Sequence, residues 1–253
     1  RGAQAAFGTL LPRLALPAER IAGLGVSMQG FRRQPGSVFV PPVPLDAWTA
    51  VDVAEAFRPA VPLPVYAENN GTLGAIAELW AGVGRRYGTF GYLSFNYGFG
   101  GGLVLDGMPW HGAHMNAAEI SSLYTDEEVT RRPALAGLLA QLRADGLDIP
   151  SVAALRAHYD PAWPGIDAWI ATVTPALNQM IRAFTGLVDP AAIVFGGEAP
   201  GDLRRRLIAA AHRPRADRRG RPVPGPDLVA SEVDQDPSVL GAALLPIRRR
   251  LFR

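Results

Sequence analysis

The chain contains no cysteine and no lysine. The first absence excludes disulfides and thiolate metal sites, which fits a cytoplasmic protein without requiring one. The second makes all 25 basic residues arginine, so a calculated pI near 9.3 reflects guanidinium chemistry more than surplus charge, and the formal net charge is only +2. A lysine-free, Ala- and Pro-rich composition reads as coding bias rather than adaptation to nucleic acid, which calls for a basic stripe. No apolar run approaches the ~20 residues that cross a bilayer, so the chain reads as soluble, with no membrane partner. No signal peptide is visible and the first residue is Arg1, so the sequence is expected to start inside a longer one. What is present is ordinary for a globular protein: 48% hydrophobic and 19% charged residues in 253, enough for one large domain or two modest ones.

Strand-like and helix-like stretches alternate. Ile21 to Met28 is a short apolar run ending at Gln29-Gly30, and a Pro-rich passage from Pro35 to Pro44 leads through Trp48 to a helix-like stretch ending at Phe57. Pro62 to Tyr66 reads as a strand, followed by Leu73, Ile76, Ala77 and Trp80 at helical spacing, with Gly82 and Gly84 as the stop. Beyond Arg85, Gly91–Phe95 and Leu103–Leu105 read as strands flanking a Gly98–Gly102 loop, with Asp106-Gly107 as a turn. Asp167 is a candidate cap for a helix running to Val188 across Pro175, Ala191–Phe195 is a buried strand, and Gly196-Gly197 turns into a helix led by Pro200-Gly201-Asp202. There is no internal repeat. The alternation predicts an α/β protein with a largely parallel sheet, divided into residues 1–84 and 85–253.

Five stretches carry the chemistry: GVSMQG at Gly25–Gly30, AENNGTLGAIAE at Ala67–Glu78, the glycine loop with its LVLDG, HGAHMNAAEI at His111–Ile120, and DPAAIVFGGEAP at Asp189–Pro200, with GAALLP at Gly241–Pro246 closing the series. In this order the set resembles the repressor/open-reading-frame/kinase (ROK) family of sugar kinases and sugar-sensing repressors. The resemblance implies an actin-like ATPase (ribonuclease H-like) fold: two α/β domains around a cleft, the last helix packing back on the first. It also implies an Asp-x-Gly phosphate hairpin before the Gly25 strand, which this sequence lacks. Asn69, Asn70 and Glu119 would line the sugar site, with Glu127 as a further sugar-binding carboxylate. On the residues alone, Asn69 or Asn70 capping the next helix is the better reading.

Departures from the family pattern point away from catalysis. The family's Glu-Asn-Asp, whose Asp takes the proton from the sugar hydroxyl, is Glu68-Asn69-Asn70 here, and an amide cannot accept that proton, so a general-base contribution of ~10²–10⁴-fold is expected to be missing. Gly98 and Gly100 match the second phosphate loop, but Asn96-Tyr97-Gly98 stands where kinases read Gly-Thr-Gly, and a plain glycine hairpin fits equally well. Gly196 and Gly197 match the adenosine-side turn. The family's Glu-Ile-Gly-His reads Glu119-Ile120-Ser121-Ser122, and the Cys-rich zinc loop is replaced by Ser122 to Arg132. No zinc or other metal is therefore expected, and His111 and His114 lack a third ligand in reach by sequence. The expected function is the effector-binding domain of a ROK-family transcriptional regulator without kinase activity. It would take a sugar effector, form a homodimer, need no cofactor, and contact DNA through a winged helix-turn-helix N-terminal to Arg1. The alternative is a glucokinase- or fructokinase-like kinase using ATP and Mg²⁺. A third reading is a ligand-free relic acting through oligomer contacts. The Arg clusters at 204–206, 213–221 and 248–253 read as solvated faces and tails, without interleaved aromatics to stack bases.

Overall fold

The computed structural model describes residues 2–14, 17–33, 36–212, 219–233 and 236–251. The Arg cluster at 213–221 lies mostly outside these residues, as do Pro35 and the last two residues of the C-terminal cluster.

Helix α1 (Gly2–Leu14) precedes strand β1 (Leu24–Met28), the short strands β2 (Phe31–Arg33) and β3 (Val38–Val40), helix α2 (Val53–Phe57), strand β4 (Val65–Asn69) and helix α3 (Asn70–Ala81). Strands β1 and β4 pair in parallel, Leu24 opposite Val65 through Met28 opposite Asn69. The strand expected at Pro62–Tyr66 therefore starts later and runs on through Asn69, since the prolines cannot donate to a ladder. The Leu24 N–H donates to the Pro64 carbonyl at 2.8 Å just before that ladder begins. The antiparallel β2–β3 pair was not expected within the Pro-rich passage. Asp52 caps α2 by accepting from the Glu55 N–H.

The remainder is built on strands β5 (Phe90–Phe95), β6 (Phe99–Leu105) and β7 (Met108–Pro109), helices α4 (Leu135–Ala144), α5 (Val152–His158) and α6 (Ile166–Val188), strand β8 (Ala192–Gly197), helix α7 (Gly201–Ala210), strand β9 (Asp227–Ala230) and helix α8 (Pro237–Leu251). Five strands form one mixed sheet in the order β7-β6-β5-β8-β9. The β5–β6 and β6–β7 pairs are antiparallel; β5–β8 and β8–β9 are parallel. β5 is buried on both faces, Leu93 and Phe95 packing toward Phe195 and α6, Phe90 and Tyr92 toward Ala75 of α3. Asp167 is not the cap of α6: Gly165 holds that position with φ +82°, and Asp167 pairs with Arg206.

Glycines set how closely the layers approach. Gly100, Gly101 and Gly102 lie within β6, not in a loop, because α3 rests against that strand: a Cβ at Gly71 would sit 2.1 Å from the Gly101 carbonyl oxygen, and one at Gly102 2.5 Å from that of Gly71. Helix α8 packs against both β1 and α3, where Cβ atoms at Gly25 and Gly241 would meet the Ala242 and Leu73 carbonyls at 1.8 and 2.0 Å. These contacts bring the N-terminus of α3 onto the sheet edge where the candidate site lies.

Candidate functional site

The chain leaves β4 and enters α3 at Asn69. Its extended backbone ends the strand, and its side chain caps the helix: Oδ1 accepts from the Gly71 N–H at 2.8 Å, and Nδ2 donates to the Gly30 carbonyl at 3.1 Å. Asn69 thus fills the capping role that its residue type favours, keeping one amide hydrogen free. Asn70 is the first helical residue, and its carboxamide makes no hydrogen bond among the described residues.

Both asparagines line a cleft of about 270 Å³. Its opposite walls come from Gly30 and Pro41 beside the short strands, from Gly98 and Gly100 of the β5–β6 hairpin, and from Glu119, Ser121 and Arg132 of the segment after β7. A Cβ at Gly98 or Gly100 would meet nothing within 4 Å, so these glycines leave open space on the cleft side. Glu119 is partly buried; burial raises its pKa, opposed by hydrogen bonds from the Ser121 hydroxyl, at 2.6 Å, and the Ser121 backbone. A second cavity of about 370 Å³, lined chiefly by residues of the segment 110–123 and by apolar side chains at the end of α6, shares Glu119 with the cleft.

Other expected positions fall elsewhere. Glu127 does not line the cleft: its carboxylate is 81% exposed and pairs with Arg131 at 3.5 Å. The same segment delivers Val129 and Arg132 to the cleft instead, and no signal in the sequence marked them. Ser122, at the family's His position, turns its hydroxyl back to the Glu119 carbonyl at 2.8 Å, while its neighbour Ser121 faces the cleft. Gly196 and Gly197 are buried at the end of β8, outside the lining; Gly197 has φ +78° and its N–H donates to the Tyr92 hydroxyl at 2.8 Å. A Cβ at Gly196 would meet the same tyrosine ring at 2.4 Å.

The Asn96-Tyr97 turn is tied down by its own carbonyls, which accept from the Leu135 and Ala136 N–H groups at 2.9 and 3.1 Å at the start of α4. Asn96 Oδ1 accepts from the Glu198 N–H at 2.9 Å, and Tyr97 is 55% exposed. Glu198 thereby stands beside the turn. Burial raises its pKa, the nearby Asp236 charge adds to the rise, and Arg156 opposes it.

Below the cleft, Glu68 is 1% exposed. Burial alone would raise its pKa, but His111, Arg32 and the Asn69 N–H together hold it low. Arg32 Nη2 lies 3.1 Å from Glu68 Oε1, and His111 Nε2 3.4 Å from Oε2. Asn116 reads the Arg32 backbone from the other side, accepting from its N–H at 2.7 Å and donating to its carbonyl at 2.9 Å. These contacts join β2 and β4 to the segment that carries Glu119. Among the described residues, no group of three or more His, Cys, Asp or Glu is placed to hold a metal, and no helix is long and apolar enough to cross a membrane.

A profile of the ROK family matches residues 5–131, half of the chain. The chain belongs to the ROK family. It is 31% identical over 251 residues to the y4fQ protein of Sinorhizobium fredii, covering 99% of this chain and 64% of that one, so it spans less than two thirds of that relative. Among solved structures it resembles a ROK family glucokinase from Streptomyces griseus in complex with glucose and AMPPNP (TM-score 0.66, 18% identity, covering 87% of this chain and 80% of that one). It also resembles a ROK family transcriptional regulator, a homologue of the Escherichia coli MLC protein (TM-score 0.60, 20% identity, covering 87% and 61%). At such identities the likeness establishes the fold, the α/β architecture of ROK sugar kinases and the actin-like ATPases.

Proposed function

We propose that the chain is the sugar-sensing effector-binding domain of a ROK-family transcriptional regulator and that it does not phosphorylate its ligand. The observation that carries this reading is Asn70: the residue matching the family's catalytic Asp lines the cleft as an uncommitted carboxamide. It can donate to and accept from sugar hydroxyls but cannot take their proton. Asn70, Glu119 and Ser121 would hold the hydroxyls, and Asn69 would contribute its spare amide hydrogen.

The neighbourhood of the β5–β6 turn supports the same reading. The turn reads Asn96-Tyr97-Gly98 where the family's kinases carry Gly-Thr-Gly, so the hydroxyl that would meet a phosphate is absent and the exposed Tyr97 ring stands in its place. DNA contact would come from a module outside these residues, the working form would be a cytoplasmic homodimer, and neither ATP, Mg²⁺ nor zinc would be required.

One observation favours the kinase alternative. Glu119 has a raised pKa in the cleft, the property a general base needs, and the glucokinase from Streptomyces griseus shares the fold. A coupled assay over hexoses and amino sugars with ATP and Mg²⁺ separates the two readings. No turnover is expected; turnover near the usual enzyme median of ~10 s⁻¹ would overturn the proposal.

A further inference from the structure

We propose that the cleft takes a sugar bearing an anionic group, a carboxylate or a phosphate, and that Arg132 binds that group. The inference rests on the reading of the cleft as a sugar site and names the class of sugar.

Arg132 and Glu119 are the only ionisable residues lining the cleft among the described residues. Arg132 is partly buried, and its Nη1 donates to the Val129 carbonyl at 2.6 Å, which fixes the guanidinium at the cleft wall. It forms no ion pair with a carboxylate among the described residues, although it follows an acidic stretch. Two acids of that stretch are turned elsewhere: Glu127 pairs with Arg131, and Glu128 accepts from the Thr125 N–H at 2.9 Å. A guanidinium withdrawn partly from water and not ion-paired within the chain's described residues can take an anionic ligand, and its planar fork suits the paired oxygens of a carboxylate or phosphate.

The other polar groups set the rest of the ligand. Glu119 and Ser121 can engage hydroxyls, and Asn70 offers an amide at the wall where a carboxylate would add a negative charge and repel an anion. A ligand that is a polyol toward Glu119 and an anion toward Arg132 matches both charges. A neutral hexose leaves the Arg132 charge unanswered.

Calorimetry of the wild-type chain with glucose, galactose and mannose, each beside its uronate and its 6-phosphate, tests this. At least one anionic form should bind about tenfold tighter than its neutral parent, the factor that 1.4 kcal/mol represents. The advantage should shrink as salt is raised. Arg132→Met should bring the ratio of anionic to neutral affinity to about one, and Arg132→Lys should keep part of it. The uronate and phosphate arms separate the two anion sources. If neutral sugars bind and no anionic form binds tighter, the inference fails while the sugar-site reading stands. If no sugar of any kind binds, both fail. An anionic preference that survives Arg132→Met overturns the assignment to Arg132.

Discussion

Replacing Gly71 by Ala tests how the fold brings Asn70 to the cleft. On propensity alone the change should help, since Ala in a helix is favoured over Gly by up to ~1 kcal/mol. The structure opposes it: the new Cβ would lie 2.1, 2.8 and 3.0 Å from the O, C and N atoms of Gly101, all backbone. The first distance is more than 1 Å inside ordinary contact, and a carbonyl in a β-ladder cannot swing aside as a side chain end would. The N-terminus of α3 must lift from β6. Overpacking of this kind costs typically ~1–3 kcal/mol, here at the upper end, so about 2 kcal/mol remains after the helix gain. For a chain of 253 residues that lowers the melting temperature by roughly 4–8 °C. Gly186→Ala in α6 is the control: it is exposed, its Cβ would meet nothing within 4 Å, and it should stabilise by ~0.5–1 kcal/mol. Thermal unfolding followed by circular dichroism compares the two. A Gly71→Ala protein melting with or above the wild type would refute the close-approach argument.

Two further substitutions probe the cleft. Asn70→Asp restores a carboxylate where the family carries its base, yet the proposed reading expects no turnover approaching ~10 s⁻¹ with ATP, because Asn96-Tyr97-Gly98 lacks the Thr hydroxyl of the family's phosphate loop; efficient phosphorylation by this variant would place the defect at one residue only. Glu119→Gln should raise stability at neutral pH while weakening sugar binding by ~1.5–3 kcal/mol, the worth of a hydrogen bond to a charged group. The sign follows from the raised folded pKa: the wild type has its full stability below the ordinary carboxylate pKa of about 4.3 and loses some as pH climbs through the folded value, a loss the amide does not suffer. A melting difference that stays constant across that range would count against the burial of Glu119.

Long periodic stretches were readable from the residues and local pairings were not. The apolar spacing from Leu73 to Ala77 and from Ile170 to Val188 matches α3 and α6, and the run at Ala191–Phe195 matches β8, because burial on several faces leaves a pattern in the chain. Trp80 was counted in the α3 stripe but is 40% exposed, the helix having passed the edge of its packing surface. The β2–β3 pair is three residues a side and left no such pattern. Gly100 to Gly102 read as loop because glycine usually marks one, whereas here it is a strand's answer to a helix lying on it. The Asn pair could not be divided by residue type: only the geometry makes Asn69 the cap and leaves Asn70 free. Glu127 follows the replaced loop, where the family pattern gives no spacing to rely on, and the structure brings Arg132 to the cleft while Glu127 faces outward.

Holding a sugar and phosphorylating it make different demands, and in this cleft the demands fall on different residues. Holding requires donors and acceptors on rigid supports. Asn70 sits on the first turn of a capped helix, and Glu119 follows a segment that Asn116 pins to the Arg32 backbone at 2.7 and 2.9 Å. Phosphorylation needs two additions, a base for the hydroxyl and positive potential for the phosphates. An amide stands at the first place, and at the second the turn carries the exposed Tyr97 where the family's kinases have a Thr hydroxyl. The one positive charge among the described lining residues belongs to Arg132, which the replaced loop supplies and which forms no ion pair there. A cleft that cannot add a phosphate but carries a guanidinium among its sugar-facing groups is better suited to recognising an anionic sugar than to making one. On this argument the amide at position 70 and the guanidinium at 132 act together, since an Asp at 70 would add negative charge to the same small cleft and weaken what Arg132 attracts.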